Sequence, residues 1–246
     1  MNLFITGGSR GIGRATVLAA ARKGHDVAFT YCTNESAAAQ VLEEARRSFG
    51  DRKVKSYRLD IKDSNQVESV FGSVLRDFGH VDAVVCNAGI LKDGLLFSLS
   101  DEDWREVIDT NLTGNFFVAR QFLQEFIARK TGRFVFLSSI IRNGGTGQAN
   151  YAASKAGLVG LSGTIAKEYG PKGICSNVVV PGFFETEMTF EAMSEKLKSF
   201  WLQYCPLKRV GRTDELTELI LFLASENNGF INGQVVSATG GLDWSY

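Results

Sequence analysis

The amino-acid sequence predicts one α/β domain, a doubly wound parallel sheet of about seven strands with helices on both faces. Three observations carry this expectation. Strand-like and helix-like segments alternate along all 246 residues, and several of the strand-like ones are near-continuous apolar runs, as in parallel strands covered on both faces. A glycine-rich turn, TGGSRGIG from Thr6 to Gly13, follows the first such run and opens a helical pattern. The chain has only three prolines and no linker or repeat, so residues 1–246 read as a single domain.

The first strand is NLFI (2–5), and the glycine turn leads into a helix expected over Arg14 to Lys23. DVAFTY (26–31), KVKSYRL (53–59) and VDAVVC (81–86) supply the next three strands. Ser100 with Asp103 forms a capping-box-like helix start, after which Trp104, Val107 and Ile108 make an apolar stripe. RFVFLS (133–138), ICSNVVV (174–180) and QVVSA (234–238) complete the sheet. Thr213 is placed to cap the helix that carries Leu216, Leu219, Ile220 and Leu223.

Lys plus Arg and Asp plus Glu number 27 each, so no global field draws the chain to nucleic acid or an anionic membrane. A hydrophobic content of 44% suits a soluble globular protein with a substantial core. Cys32, Cys86, Cys175 and Cys205 are far apart and form no C-x-x-C pair. With His25 and His80 both expected in turns, no metal site is expected, and the thiols are expected to be buried and reduced. The apolar stretch Leu3 to Ile5 is too short for a signal peptide, and no apolar run approaches the roughly 20 residues of a membrane span. A cytoplasmic protein is the expectation.

Gly7, Gly11 and Gly13 are spaced G-x-x-x-G-x-G, close to the dinucleotide-binding fingerprint without matching it. Between a strand and a helix, such glycines let the backbone approach a pyrophosphate resting on the helix N-terminus. A site for NAD usually adds a carboxylate about 20 residues further on for the ribose 2′-hydroxyl. Here the second strand ends Thr30-Tyr31-Cys32-Thr33-Asn34 with no acid before Glu35, and the loop carries Arg10, a cation suited to a 2′-phosphate. Both features point to NADP(H).

Tyr151 and Lys155 are four residues apart, hence on one face of a helix, one turn from each other. A free tyrosine, with a pKa near about 10, is a poor acid at neutral pH. A neighbouring ammonium favours the phenolate and is expected to lower that value toward the working range. The expected step is hydride transfer to a ketone carbon while the Tyr151 hydroxyl protonates the oxygen.

Taken in order, TGGSRGIG, CNAG (86–89), TNLTG (110–114), FLSS (136–139) and NYAASKAG (150–157) resemble the motifs of the short-chain dehydrogenase/reductase family over essentially the whole chain. The resemblance implies a Rossmann fold, NADP(H) as cofactor, and a catalytic set of Asn111, Ser139, Tyr151 and Lys155. Lys155 would also bond the nicotinamide ribose, and Asn111 would support a water-linked proton relay to that lysine. Adjacent strand residues point to opposite faces, so only one of Ser138 and Ser139 can orient the carbonyl. The family pattern selects Ser139, whereas counting back from Tyr151 without a gap selects Ser138. For the cofactor, the resemblance implies contacts from Gly7, Ser9, Arg10, Gly11, Ile12 and Gly13, and from Thr33 after the second strand. Asp60 and Ile61 follow the third strand; Asn87, Ala88 and Gly89 follow the fourth. Tyr151, Lys155 and then Pro181, Gly182, Phe184 and Thr186 in PGFFETEM complete that set. The chain departs from the family wording at Cys86, where asparagine is often found, and at SATGG near the end.

Within the family, GQANYAASKAGLVGLS, NVVVPGFFETEMT and ASENNGFINGQ resemble 3-oxoacyl-[acyl-carrier-protein] reductases. That implies a β-ketoacyl thioester substrate. Phe190, Met193, Leu197, Phe200 and Trp201, at helix-compatible spacing, are placed either to cover the active site or to pack in the core. Arg129, Lys130 and Lys172 lie near positions that this subgroup uses to dock an acidic carrier protein, or serve only solvation. The family resemblance also implies a homotetramer, and Gly157, Gly160 and Gly163 would permit close helix approach. Two alternatives share these motifs: a ketoreductase of a polyketide-like or small-carbonyl substrate, and a non-catalytic NADP sensor.

Overall fold

The computed structural model of the chain describes residues 1–50, 52–186 and 195–242. Seven strands form one parallel sheet: β1 (Asn2–Ile5), β2 (Asp26–Tyr31), β3 (Val54–Arg58), β4 (Ala83–Cys86), β5 (Gly132–Leu137), β6 (Ile174–Pro181) and β7 (Val235–Ala238). Their order across the sheet is β3-β2-β1-β4-β5-β6-β7, so the winding reverses between β1 and β4. The helices between them are α1 (Gly11–Arg22), α2 (Glu35–Phe49), α3 (Ser64–Phe78), α4 (Asp101–Ile108), α5 (Asn115–Arg129), α6 (Ala149–Tyr169), α7 (Glu195–Tyr204) and α8 (Thr213–Ala224). A π-helical turn, Asp109–Gly114, joins α4 to α5. No described helix is long and apolar enough to cross a membrane.

Alternation along each strand divides the core in two. Phe4, Val84, Phe134 and Phe136 face α3, α5 and α6, where Phe122 and Phe126 meet them. The Phe4–Phe122 ring centroids are 4.6 Å apart and those of Phe126 and Phe134 5.0 Å. Leu3, Ile5, Val85 and Val135 face the opposite way, against Val17 of α1 and Leu216 and Ile220 of α8. Two covered faces are what make these strands read as unbroken apolar runs.

Several element ends differ from expectation. α1 starts at Gly11, three residues early, because the glycines themselves form its first turn. Thr213 is not the cap of α8 but its first residue; Arg212 precedes the helix, and its N–H donates to the Glu215 carboxylate at 2.9 Å. β5 stops at Leu137, leaving Ser138 just beyond it. Cys86, Cys175 and Cys205 are buried, whereas Cys32, at the open end of β2, is exposed.

Candidate active site

The turn between β1 and α1 is shaped by its glycines. Gly7 and Gly11 have φ of +66° and +55°, which L side chains rarely adopt. A Cβ on Gly13 would stand 2.1 Å from the Gly7 carbonyl oxygen. Arg10, which precedes α1, makes no side-chain cap, so the first N–H groups of the helix remain directed at the turn. Thr6 and Asn87 bind this turn to the end of β4. The Thr6 hydroxyl accepts from the N–H groups of Asn87 and Ala88, each at 3.0 Å. The Asn87 amide donates to the carbonyls of Thr6 and Gly7, each at 3.0 Å. Such a cradle at the winding reversal fits a dinucleotide pyrophosphate.

The other residues expected at the cofactor lie along the same carboxyl edge of the sheet. Arg10 is exposed and forms no ion pair among the described residues; Ser9 is half-buried and Ile12 packs against the core. Thr33 is exposed beyond β2, and the Asp60 carboxylate beyond β3 accepts from the Lys62 N–H at 3.0 Å. Ile61 is buried against Gly114, where a Cβ would meet it at 2.7 Å. Pro181 ends β6, and Gly182 lies so close to Thr239 that a Cβ would fall 2.8 Å from its Cα. Phe184 is buried against Gly211, and Thr186 is half-buried.

Ser139, Tyr151, Lys155 and Asn111 converge at the ends of β4 and β5. The Ser139 hydroxyl accepts from the Ile141 N–H at 3.2 Å and lies near enough to the Tyr151 phenol to bear on its acidity. Ser138 points elsewhere: its hydroxyl donates to the main-chain carbonyl of Lys155 at 2.8 Å, buried. The Lys155 ammonium is buried, donates to the Leu137 carbonyl at 2.7 Å and stands 5.6 Å from the centre of the Tyr151 ring. Asn111, fully buried in the π-helical turn, accepts from the Ile90 N–H at 2.8 Å. Its amide donates to the Ile90 carbonyl at 3.0 Å and to the Ser154 hydroxyl at 3.1 Å. Gly89 is the meeting point, since a Cβ there would lie 3.1 Å from Asn111 Oδ1 and 3.4 Å from Lys155 Nζ.

The electrostatics correct one expectation. Burial pushes the Tyr151 phenol above its ordinary value; the nearby Ser139 hydroxyl pulls it down and Asp93 pushes it up. Burial also lowers the Lys155 pKa to about 8. The phenol is therefore a weak acid in contact with a hydroxyl, beside a lysine that loses its proton readily.

Sequence reasoning missed Thr6, Ser154 and Leu137. Ser154 has a local signal, because a residue three beyond Tyr151 shares its helix face, and its hydroxyl donates to the Tyr151 carbonyl at 2.7 Å. Leu137 contributes only a main-chain carbonyl, which no residue type announces.

Two other expectations meet the structure unevenly. Trp201 packs on Phe183 with ring centroids 4.9 Å apart, beside the end of β6. Phe190 and Met193 lie outside the described residues, as do the side chains of Leu197 and Phe200. Arg129, Lys130 and Lys172 sit at the amino ends of β5 and β6, about 23 Å of strand away from Ser139. Arg129 is already engaged with Asp82 at 2.9 Å and Glu125 at 3.6 Å, leaving Lys130 and Lys172 exposed. On α6, Gly157 packs on Leu112, while Gly160 and Gly163 face open space.

The chain is similar to known proteins over nearly its whole length. Residues 7–243 match the sequence model of the family described as enoyl-(acyl carrier protein) reductase. The chain is 38% identical over 242 residues to a 3-oxoacyl-[acyl-carrier-protein] reductase FabG of Staphylococcus epidermidis, covering 97% of each. It is 41% identical over 240 residues to the protein of that name in Thermotoga maritima, covering 97% of this chain and 96% of the relative. The crystal structure of a levodione reductase superposes with a TM-score of 0.95 at 29% identity, covering 100% of this chain and 98% of the other.

Proposed function

The chain belongs to the short-chain dehydrogenase/reductase family, and from that premise we propose that it reduces a 3-oxoacyl thioester, carried on acyl carrier protein, to the 3-hydroxyacyl form. It is an oxidoreductase of the CH–OH/C=O pair that works with NADP(H). The observation that carries the reading is the hydroxyl pair of Ser139 and Tyr151 beside the buried Lys155. Two converging O–H donors suit the oxygen of a ketone becoming an alcohol.

In this reading Gly7, Gly11 and Gly13, with the free N–H groups at the start of α1, hold the pyrophosphate, and Arg10 faces the 2′-phosphate. When bound, the nicotinamide supplies a hydride to the ketone carbon. Ser139 orients the ketone oxygen and Tyr151 passes its phenolic proton to it. The phenolate left behind is opposed by the Lys155 ammonium, which the Leu137 carbonyl holds 5.6 Å from the centre of the Tyr151 ring. Asn111 fixes Ile90 against Ser154 and so keeps the β4 end and α6 at a constant separation. Ser138 serves α6 rather than the ketone, which supports Ser139 for the oxygen. The reading places the protein in the cytoplasm as a homotetramer. Open space at Gly160 and Gly163, with Phe116 and Ile127 exposed on α5, supports association through α5 and α6.

The test follows NADPH absorbance with four substrates: carrier-bound 3-oxoacyl and 2-enoyl thioesters, the coenzyme A 3-oxoacyl thioester, and a small β-ketoester. The reading expects the highest kcat/KM on the carrier-bound 3-oxoacyl chain. A preference for the small β-ketoester would favour a small-carbonyl reductase, and NADPH binding with no turnover would favour a sensor. Turnover confined to the enoyl chain would overturn ketone reduction.

A further inference from the structure

Asn115 is the first residue of α5, four beyond Asn111, and is completely buried. Its amide nitrogen donates to the main-chain carbonyl of Asn111 at 2.8 Å and to that of Ala88 at 3.3 Å. Both amide hydrogens are thereby committed, which fixes the orientation of the group. Its Oδ1 is buried and has no hydrogen-bond partner among the described residues. A buried amide oxygen without a donor is costly, and an internal water is the ordinary remedy.

The two asparagines act on one short segment. Asn111 grips Ile90 through both side-chain atoms, and Asn115 grips Ala88; Gly89 between them faces Asn111 and the Lys155 ammonium. The π-helical turn carries Asn111, and its main chain is in turn tied back by Asn115. Release of that tie frees the Asn111 carbonyl and the Ala88 carbonyl together. We propose that Asn115 is a positioning residue for ketone reduction, bracing the Ala88–Ile90 segment and the Asn111 turn against Lys155, with its Oδ1 as the seat of an internal water. It touches neither substrate nor the reacting atoms and acts through Asn111, Gly89 and Lys155. The inference rests on the reductase reading above.

Asn115→Leu keeps the volume and removes both donors and the acceptor; Asn115→Ser restores one hydroxyl. Each is compared with the unaltered protein by NADPH fluorescence titration, steady-state kinetics against pH, and amide exchange at Ile90. The expected result for Asn115→Leu is kcat lower by about tenfold, with NADPH affinity and thioester KM within about twofold. Exchange at the Ile90 N–H speeds up, the pH profile of kcat shifts, and Asn115→Ser recovers part of kcat. Unchanged kcat, pH profile and Ile90 exchange in a folded variant would overturn the proposal. So would an equal loss of NADPH affinity, which would make Asn115 a cofactor-site scaffold. If Asn115→Leu does not fold, the same comparisons are read on Asn115→Ser, for which wild-type values in all three measurements overturn the proposal. Failure of the unaltered protein to reduce any 3-oxoacyl thioester would refute the reductase reading instead; the Ile90 exchange then still reports on the brace.

Discussion

The Lys155 ammonium donates to the Leu137 carbonyl at 2.7 Å, and burial, rather than any neighbouring charge, is the largest influence on its pKa, lowering it to about 8. The unfolded chain holds that proton up to an ordinary lysine value of 10.5. Between these values the unfolded state binds more protons than the native one, so this group makes stability rise with pH over that interval. Below about pH 8 the buried charge carries its full penalty. Urea midpoints from pH 7.5 to 10.5 should climb more steeply in the unaltered protein than in Lys155→Met; parallel curves would contradict the lowered value. Reductase activity should fall as pH rises through about 8, where the ammonium is lost.

Ser138 and Ser139 are adjacent and should fail in different assays. Ser139→Ala removes the hydroxyl partner of Tyr151 and should lower kcat by about 10²-fold with little change in melting temperature. Ser138→Ala removes a buried bond to the Lys155 carbonyl, which keeps its partner within α6, and should cost about 0.5–1.5 kcal/mol of stability. The reverse pattern would assign the ketone oxygen to Ser138.

Tyr151→Phe should abolish reduction by about 10²-fold or more while leaving NADPH fluorescence titration nearly unchanged. A variant that still turns over would remove the phenol from the mechanism.

At the glycine turn, Gly13→Ala should weaken NADPH binding far more than Gly11→Ala. The first places a methyl 2.1 Å from the Gly7 oxygen; the second meets nothing within 4 Å and strains only a backbone at φ +55°. Arg10→Gln should raise the KM for NADPH about tenfold and leave that for NADH unchanged, because only the former carries a 2′-phosphate. Equal effects on the two would detach Arg10 from that recognition.

Much of this architecture can be read from residue types, because the chemistry and the covering of the sheet are local in sequence. Phe4, Val84 and Phe134 alternate with Leu3, Val85 and Val135, and both sets are apolar, so each strand announces that it is covered twice. Tyr151 and Lys155 are one helical turn apart, and their spacing carries their relation. What does not show is whatever depends on main-chain atoms or on depth. The acceptor for Lys155 is a carbonyl, and the upward displacement of the Tyr151 phenol comes from burial supplied by several elements at once. The π-helical turn that carries Asn111 has no residue signature, and the first turn of α1 is built from glycines that propensity alone assigns to a loop. Arg129 reads as a free surface cation until Asp82, 47 positions earlier, is found beside it.

β1 pairs with β2 on one side and β4 on the other, with Phe4 opposite both Ala28 and Val84. During synthesis the first neighbour emerges within some two dozen residues, but the second does not exist until Cys86 has been made. Until then one margin of β1 offers unpaired amides and carbonyls between greasy flanks, an invitation to association with other nascent chains. Truncated products ending before β4 should accordingly precipitate, and a ribosome pause ahead of Ala83 should be the interval in which this chain most needs a chaperone.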